Sequence, residues 1–376
     1  MKAFYKNLMH TVLVLSVCSA SRAQEFRSPE VHKDGSVTMR LRSRTAENVR
    51  VSIAGQTLDL AKGEGDVWSV TTPTLPPGIH DYSFNVDGTR MIDPSNRRVK
   101  KWFTLASMVE IPGTPPRLTE QTDVPHGVVQ RLVYSSDSTG SARPVVVYTP
   151  PDYHLTERKY PLVLLLHGFG DDETAWTEVG RAHLIADNLI ARQKIRPCVI
   201  AMPYGHPIPP PFGKRSERPA NYFQDNNERY EQDIVKDLLP FLDTRFRVTD
   251  DSQQRSIVGL SMGGGHAIHV GLRHVNLFGA VGAFSAAAPQ AERPALLEQY
   301  PSLAGEAPAA NSLQHFWIPI GKSDFLLNRN RAFVKVLGEQ GVQHRYVETD
   351  GAHSWYVWRK YLPEYLEMVL PAAAEK

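Results

Sequence analysis

The most informative stretch of the sequence is Ile257-Val258-Gly259-Leu260-Ser261-Met262-Gly263-Gly264-Gly265. It has the form G-x-S-x-G and stands where an apolar run, typical of a buried strand, meets a helical pattern over residues 262–273. A serine at such a sharp turn exposes its hydroxyl, and the flanking glycines leave room for a tight backbone and an approaching substrate. The stretch therefore predicts that Ser261 is a nucleophile. A glycine-rich turn with a helix-capping serine is the alternative interpretation.

The sequence around this turn alternates apolar strands with longer helical patterns. Beyond residue 127 this alternation predicts a mainly parallel sheet covered by helices on both faces. The candidate central strands are Tyr160 to Leu166, Pro197 to Met202, Ser256 to Leu260, Phe278 to Phe284 and Phe316 to Ile320. A core-facing helical stripe is predicted at Ile234, Val235, Leu238, Leu239 and Leu242. Together with the serine turn, this organisation indicates an α/β-hydrolase fold.

A serine hydroxyl is a weak nucleophile near neutral pH, so Ser261 requires a base and a carboxylate that orients the base. In this fold the order along the chain is serine, acid, histidine. His353 follows a predicted strand and precedes a terminal helix, so it can reach the carboxyl edge of the sheet, where open α/β sheets place their sites. Asp324 also follows a strand and is predicted to orient His353. Asp350 is the alternative acid, although it lies on the same loop as the histidine.

Attack on an ester creates an oxyanion, which backbone amides can stabilise. The amide of Met262, directly after the nucleophile, is one predicted donor. The second donor is expected in His167-Gly168-Phe169-Gly170, with the amide of Phe169 as the prediction and that of Gly168 as the alternative. His167 is predicted to hold this loop rather than to act in catalysis. This chemistry requires no metal and no cofactor, and the sequence contains no zinc or nucleotide motif.

The N-terminal part of the chain has a different pattern, in which short alternating runs are separated by turn residues. The runs are Val37 to Leu41, Val49 to Ile53, Val67 to Val70 and Tyr82 to Val86. They predict a small all-β sandwich of immunoglobulin-like shape over residues 26–111. Residues 112–126 are rich in proline and predict an extended linker, and the hydrolase domain is predicted over residues 127–376.

The first 23 residues have the character of a secretory signal peptide, with lysines at positions 2 and 6, a short apolar run and the ending Ser21-Arg22-Ala23. The protein is therefore expected to be exported to the periplasm or the extracellular space, with a lipid anchor at Cys18 as the alternative. The apolar run is too short to span a bilayer. After removal of this segment Cys198 is the single cysteine, and its apolar neighbours predict a buried thiol. The formal net charge of +2 gives no indication of nucleic-acid binding.

Four motifs stand together in the C-terminal part of the chain. They are Leu164-Leu165-Leu166-His167-Gly168-Phe169-Gly170-Asp171-Asp172-Glu173 with Trp176, the turn Gly259 to Gly265, the stretch Gly321 to Phe325, and Gly351-Ala352-His353-Ser354-Trp355 with Trp358-Arg359. As a set they resemble the first carbohydrate-esterase family, which holds feruloyl and acetylxylan esterases. That family is similar to the esterase-D, enterobactin-esterase and mycolyltransferase relatives. The likeness covers about Gln130 to Leu370.

Through Trp68-Ser69-Val70, residues 75–88 and Asp93-Pro94, the N-terminal region is similar to the starch-binding module that precedes glycogen-branching enzymes. Arg90 departs from that pattern, because α-glucan binders of this type commonly place an aromatic residue shortly after the Asp-Gly turn to stack on a sugar ring. A scaffolding or arabinoxylan-facing role beside the active site is therefore at least as well supported as starch binding.

The resemblance implies hydrolysis of acyl esters on plant cell-wall polysaccharide, with release of ferulate from arabinoxylan as the leading expectation. The expected substrates are feruloylated or acetylated oligosaccharides and polysaccharides. Tyr204 and Trp355 are candidates for the acyl or sugar pocket, with core packing as the alternative for each. The irregular segment Tyr204 to Tyr222 is a candidate wall of the site.

Three other functions stay open. Acetylxylan esterase requires a smaller acyl pocket, and a siderophore esterase requires a basic one. The irregular segment supplies three basic residues for the latter, Lys214, Arg215 and Arg218. A carbohydrate-binding protein with a vestigial hydrolase domain is the alternative from a different functional class.

Overall fold

The computed structural model describes residues 26–101, 105–209, 219–290 and 292–372. The predicted signal peptide and the basic residues Lys214, Arg215 and Arg218 lie outside these ranges. None of the helices within these ranges is long and apolar enough to cross a membrane. An all-β region comes first along the chain, and an α/β region follows it.

The N-terminal region consists, in the residues that the structure describes, of ten short strands in two sheets. The strands are β1 (Glu30–Val31), β2 (Val37–Arg42), β3 (Val49–Ile53), β4 (Gln56–Asp59), β5 (Ala61–Lys62), β6 (Val67–Thr71), β7 (Gly78–Val86), β8 (Thr89–Met91), β9 (Val99–Lys100) and β10 (Ala106–Ile111). One sheet has the order β1-β2-β6-β5 and the other β4-β3-β7-β10-β9, with β8 paired to β7. Along β3, Val49, Val51 and Ile53 are buried while Arg50 and Ser52 are exposed. This period-two burial confirms the prediction of an all-β region.

The α/β region is organised around one eight-stranded sheet. Its strands are β11 (Val128–Ser136), β12 (Ser141–Thr149), β13 (Leu162–Leu166), β14 (Val199–Pro203), β15 (Arg255–Leu260), β16 (Ala280–Phe284), β17 (His315–Gly321) and β18 (Arg345–Thr349). The spatial order is β11-β12-β14-β13-β15-β16-β17-β18, and β12 alone pairs antiparallel with both of its neighbours. The five predicted central strands are all present, and the predicted mainly parallel sheet is confirmed. Cys198, next to β14, is buried as predicted.

Helices cover both faces of this sheet. They are α1 (Ala175–Glu178), α2 (Ala182–Ala191), α3 (Tyr222–Gln232), α4 (Leu239–Arg245), α5 (Met262–Arg273), α6 (Arg293–Gln299), α7 (Leu327–Glu339) and α8 (Trp355–Val369), with a π-helical turn (Asp233–Leu238) between α3 and α4. Because side chains alternate along a strand, Leu162, Leu164 and Leu166 of β13 pack in the cluster with α4, α5 and α7. Val163 and Leu165 pack in the opposite cluster with α2 and α8.

The two regions meet through apolar packing and hydrogen bonds. Met108 of β10 is buried in the same hydrophobic cluster as the residues of α2 and α8, and Ile79 of β7 packs against that cluster. The predicted linker contains no helix or strand, but Asn188 of α2 donates hydrogen bonds of 2.9 Å to the carbonyls of Leu118 and Glu120 within it. The connection is therefore attached to the α/β region at Leu118 and Glu120.

Candidate active site

Ser261 lies on the turn between β15 and α5. Its φ of 54° and ψ of −114° belong to a conformation that non-glycine residues rarely adopt, and that costs on the order of 1–3 kcal/mol. Three backbone hydrogen bonds hold the turn: the Ser261 amide donates to the Phe284 carbonyl over 2.9 Å, and the Ser261 carbonyl accepts from Gly265 over 3.0 Å and from Ala287 over 2.8 Å. The neighbouring strand end and the helix thus fix the strained serine at the carboxyl edge of the sheet.

The absence of a side chain at Gly263 allows α5 to pack directly on the loop after β13. A Cβ at this position would lie 2.5 Å from the carbonyl oxygen of His167 and 2.6 Å from that of Leu166. The N terminus of α5, which includes the amide of Met262, is therefore held against the loop after β13. A helix N terminus carries partial positive charge, so it stabilises negative charge that develops at the serine.

Asp324 and His353 meet at the same edge of the sheet. Asp324 follows β17 and His353 follows β18, and these two strands are parallel neighbours. The His353 Nδ1 lies 2.8 Å from Asp324 Oδ2, and the two side chains are 9% and 0% exposed. Because a carboxylate only accepts hydrogen bonds, Nδ1 carries the proton and Nε2 is left as the basic nitrogen.

Two aromatic rings contact the imidazole of His353. The Phe325 ring lies 4.5 Å away between centroids, and Trp358 packs edge-on at 4.9 Å. Phe325 is 75% exposed, so it combines contact with the imidazole and access from solvent. Phe325 stands at the end of the sequence stretch Gly321 to Phe325, and that motif assigned it no role.

The alternative acid, Asp350, lies in a different environment. Its side chain is 97% exposed and its Oδ1 lies 3.2 Å from Lys322 Nζ. A solvated carboxylate of this kind cannot fix the orientation of a buried imidazole, so the geometry favours Asp324.

No hydrogen bond joins Ser261 Oγ to His353 in the part of the chain that the structure describes. Such bonds are often long in unliganded enzymes and tighten when substrate binds. The fold supplies the common position: β15, β16, β17 and β18 are consecutive parallel neighbours, so Ser261, Asp324 and His353 all follow strands at one edge. The catalytic triad stays a prediction. The contact between Asp324 and His353 has the geometry that a triad requires.

The loop after β13 lies directly against the nucleophile. A Cβ at Gly168 would be 2.6 Å from Leu260 Cδ1 and 3.5 Å from Ser261 Cβ. This loop and the N terminus of α5 therefore flank Ser261 from two directions, as a pair of amide donors would require. The amides of Phe169 and Met262 remain the predicted oxyanion donors, with Gly168 as the alternative.

His167 is fixed by two hydrogen bonds and is neutral. The Gly205 amide donates to its Nε2 over 2.7 Å, so its Nδ1 carries the proton and donates to the Gly168 carbonyl over 2.8 Å. Burial lowers the pKa of His167 to about 4. These contacts agree with the predicted role of His167 in holding the oxyanion loop.

Arg143 is a supporting residue that no sequence motif indicated. Its guanidinium donates to the carbonyls of Tyr204 and His206, the latter over 2.8 Å, and its Nε lies 3.1 Å from Asp233 Oδ2. The side chains of this ion pair are only 4% and 0% exposed. Arg143 therefore fixes the loop whose Gly205 amide holds His167. Its partners lie far from it along the chain, so no local pattern could have identified them.

The two predicted substrate residues lie in different surroundings. Tyr204 is half-buried, and its ring stacks on that of His167 with centroids 5.7 Å apart. Trp355 is 4% exposed and packs edge-on against Trp176 at 5.0 Å and Trp358 at 5.5 Å. The main contacts of Trp355 are thus core packing, and substrate roles for both residues stay predictions.

A group of aromatic rings borders the oxyanion loop. The ring centroid of Phe169 lies 6.5 Å from Tyr222 and 5.9 Å from Phe223. Phe223 is 45% exposed, and we call Phe169, Tyr222 and Phe223 the aromatic wall. The sequence predicted a wall from the segment Tyr204 to Tyr222, and Phe223, the residue directly after that segment, was not included in it.

A cleft of about 960 Å³ lies between the two regions and extends to His353. Arg90 and Lys100 line it from the N-terminal region, Arg117 from the connecting segment, and His353 and Arg359 from the α/β region. Its volume is within the range of small-molecule sites. We call this space the domain cleft.

Comparison with known sequences gives a family and relatives. Residues 136–368 match the model of the "Putative esterase" family. The chain is 29% identical over 350 residues to an endo-1,4-beta-xylanase/feruloyl esterase of Xylanibacter ruminicola, a match that covers 90% of this chain and 45% of the relative. The chain therefore spans less than half the length of this relative.

Solved structures show the same fold. A ferulic acid esterase is 28% identical, with a TM-score of 0.55 over 65% of this chain and 98% of its own. The enterobactin esterase of Shigella flexneri is 20% identical, with a TM-score of 0.64 over 94% of this chain and 98% of its own, a likeness that concerns the fold alone. The family match extends over more than half of the sequence, so the protein belongs to this esterase family.

Proposed function

We propose that this protein is a carboxylic ester hydrolase and that Ser261, His353 and Asp324 are its catalytic triad. The observation that carries the proposal is the 2.8 Å hydrogen bond between Asp324 and His353, at the edge of the sheet where the strained turn presents Ser261. His353 Nε2 accepts the hydroxyl proton as Ser261 Oγ attacks the ester carbon, and then donates it to the leaving alkoxide. Water next attacks the acyl-serine and gives a proton to His353. His353 then returns this proton to Ser261 Oγ as the carbon–oxygen bond to the serine breaks and the carboxylic acid leaves.

The amides of Phe169 and Met262 are proposed to stabilise the oxyanion of both tetrahedral intermediates. Support comes from the position of the loop after β13 and the N terminus of α5 on two sides of Ser261. The bonds between His167, Gly168 and Gly205 make this loop rigid before substrate binds. A preorganised donor of this kind does not have to reorient as charge develops.

We infer that the substrate is an acylated plant cell-wall polysaccharide and that the acyl group is ferulate. The 29% identity to an endo-1,4-beta-xylanase/feruloyl esterase extends over 90% of this chain, which includes the N-terminal region. The aromatic wall beside the oxyanion loop supports an aromatic acyl group, because offset aromatic rings attract one another beyond their apolar contact. Acetate would leave this surface largely unused, so an acetylxylan esterase is the less favoured alternative.

A siderophore ester is the second candidate substrate. The observation that favours it is the excess of basic side chains in the domain cleft, because catecholate siderophores carry negative charge. A vestigial hydrolase that only binds carbohydrate is not supported, since the esterase family match spans the residues proposed for the triad.

Residues 1–23 are proposed to direct export, and residues 26–111 are proposed to be an immunoglobulin-like unit joined through 112–126 to the hydrolase domain. Ten paired strands over 30–111 support the second proposal. The first proposal is tested by the N-terminal sequence of the protein recovered from outside the cytoplasm.

Turnover of methyl ferulate, p-nitrophenyl acetate and a catecholate trilactone, measured side by side, tests the proposed function. We expect methyl ferulate to have the highest kcat/KM and Ser261→Ala to lower kcat at least about 10⁴-fold on every ester that is cleaved. Ser285→Ala is the matched control, because Ser285 also follows a strand with positive φ, is buried, and has no hydrogen bond to its hydroxyl within the described residues. Full activity of Ser261→Ala would overturn the triad, and a preference for the trilactone would overturn the ferulate assignment.

A further inference from the structure

The domain cleft lies on the leaving-group side of the proposed active site, so this inference rests on the proposed function. His353 lines the cleft and is the group that gives its proton to the leaving alkoxide. The alcohol part of the ester must therefore lie against the imidazole. The domain cleft runs from His353 to residues of the N-terminal region, so it offers space for the remainder of that alcohol part.

The lining of the domain cleft carries more positive than negative charge. Arg90, Lys100, Arg117 and Arg359 contribute four cations, and Asp81 contributes one carboxylate, which pairs with Lys100 at 2.5 Å. In the described part of the chain the three guanidinium groups form no ion pair within 4 Å. An excess of fixed cations in a concave surface attracts and holds anions.

The hydrogen bonds of these arginines leave donors unused. Arg90 Nε donates to Ser83 Oγ over 3.0 Å, and Arg117 Nη1 donates to the Pro77 carbonyl over 2.6 Å. Each bond employs one of the five N–H donors of a guanidinium. Both side chains can therefore bind a further acceptor while the existing bond keeps them in place.

Arg359 gives independent support for an anionic ligand. It is 8% exposed, its Nε donates to the Val179 carbonyl over 2.8 Å, and its Nη2 is buried without a hydrogen bond in the described residues. Burial lowers the pKa of Arg359 to about 10, while Asp81 and Glu110 attract it from beyond ion-pair distance. A buried, charged donor without an acceptor is costly, and a bound carboxylate would offset that cost.

We propose that the domain cleft binds a carboxylate on the alcohol part of the substrate, namely that of a hexuronate side group on the polysaccharide. Guanidinium groups match the planar, two-oxygen geometry of a carboxylate. Starch-binding modules similar to the N-terminal region commonly have an aromatic residue where this chain has Arg90. In this proposal Arg90 binds a charged group instead of stacking on a neutral sugar ring. The enzyme would thus select acidic segments of its polymer.

Binding to catalytically silenced protein tests this without requiring turnover. With Ser261→Ala in the full chain, titration calorimetry compares a xylo-oligosaccharide that bears one glucuronate with the neutral oligosaccharide of equal length. We expect the acidic ligand to bind about tenfold more tightly at low salt, and the difference to shrink as NaCl approaches about 0.5 M. The double change Arg90→Gln with Arg117→Gln should abolish the difference, and the exposed Arg50→Gln, on β3 outside the cleft, should preserve it.

Equal affinity for the two ligands, no binding of either, or an undiminished preference in the double variant would each overturn the proposal. Binding of a tricatecholate that depends on Arg90 and Arg117, without a preference for glucuronate, would assign the cleft to a siderophore and overturn the hexuronate. These outcomes differ from failure of the proposed function, which is a lack of hydrolysis of methyl ferulate by the wild-type protein.

Discussion

The two sides of the proposed active site differ in chemistry and in origin. The aromatic wall lies beside the oxyanion loop and belongs entirely to the α/β region. The domain cleft lies on the side of His353, is cationic, and takes Arg90 and Lys100 from the N-terminal region. An ester has an acyl half and an alcohol half, and we propose that each side of the site recognises one of these halves.

The two sides also differ in how they are held. The oxyanion side rests on a buried chain of hydrogen bonds from Asp233 through Arg143 to the loop that fixes His167. The cleft side consists of long side chains brought together by the packing of two regions, among which Arg90 is exposed and Arg359 is buried. We therefore expect changes on the oxyanion side to affect mainly kcat, and changes in the cleft to affect mainly affinity.

The largest effect is expected at the centre, where neither side can compensate. Asp324→Asn should lower kcat about 10³- to 10⁴-fold, because the imidazole loses the charged, acceptor-only carboxylate that sets its tautomer and stabilises its protonated form. Asp350→Asn is the matched control on the neighbouring loop, and its 97% exposed side chain should leave kcat unchanged. Steady-state kinetics with methyl ferulate checks both, and a larger loss for Asp350→Asn would reverse the assignment of the acid.

Acid is expected to lower the stability of the folded protein through two buried histidines on the oxyanion side, while the guanidinium groups of the cleft keep their charge. Burial lowers the pKa of His167 to about 4 and that of His206 to about 3, from 6.5. The unfolded chain therefore binds more protons than the native protein below pH 6.5, so stability is full above that pH and falls towards pH 4. The free energy of unfolding should drop by a few kcal/mol across this range.

Urea denaturation at several pH values measures this loss. His206→Gln removes one of the titrating groups and should make the decline shallower than in the wild type. The exposed His154→Gln should leave the slope as it is. If the free energy of unfolding declined equally with pH in the wild type and in His206→Gln, the expected contribution of His206 would be contradicted.

Loss of the Arg143 support should lower kcat about tenfold to a hundredfold with little change in KM, because the oxyanion loop loses its anchor. Arg143→Gln alone would leave Asp233 charged and buried, which destabilises the fold. The double variant Arg143→Gln with Asp233→Asn removes both charges of the pair. Asp233→Asn alone is the control, because it removes the carboxylate and keeps Arg143, which holds the loop. A folded double variant with full kcat would exclude the positioning role.

The smallest effect is expected from the aromatic wall. Phe223→Ala should lower kcat/KM for methyl ferulate about tenfold and change that for p-nitrophenyl acetate little, because the proposed contact with the wall is made by the ferulate ring and acetate has no ring to make it. Leu155→Ala, at a 69% exposed position, is the control for loss of a large exposed side chain. Equal losses of kcat/KM on the two esters would show that the wall does not recognise the acyl group.

Local patterns in the sequence predicted the elements that place the site. The central strands lie within two residues of their predicted bounds, and α5 spans the predicted Met262 to Arg273. The edge positions of Asp324 and His353 follow from strand polarity, which the chain order already contains. Arg143 and the domain cleft could not be predicted in this way, because their contacts join residues far apart in sequence. Arg143 and Asp233, for example, are 90 positions apart.

The burial of Met108 among the residues of α2 and α8 bears on how this protein can be divided. A shortened chain that begins at the hydrolase domain would leave an apolar surface open to water where Met108 and Ile79 now pack, and such surfaces promote aggregation. We therefore expect that the α/β region requires the β region of the same chain for its stability. Exchange of this region between relatives would have to carry the matching surfaces of α2 and α8 with it.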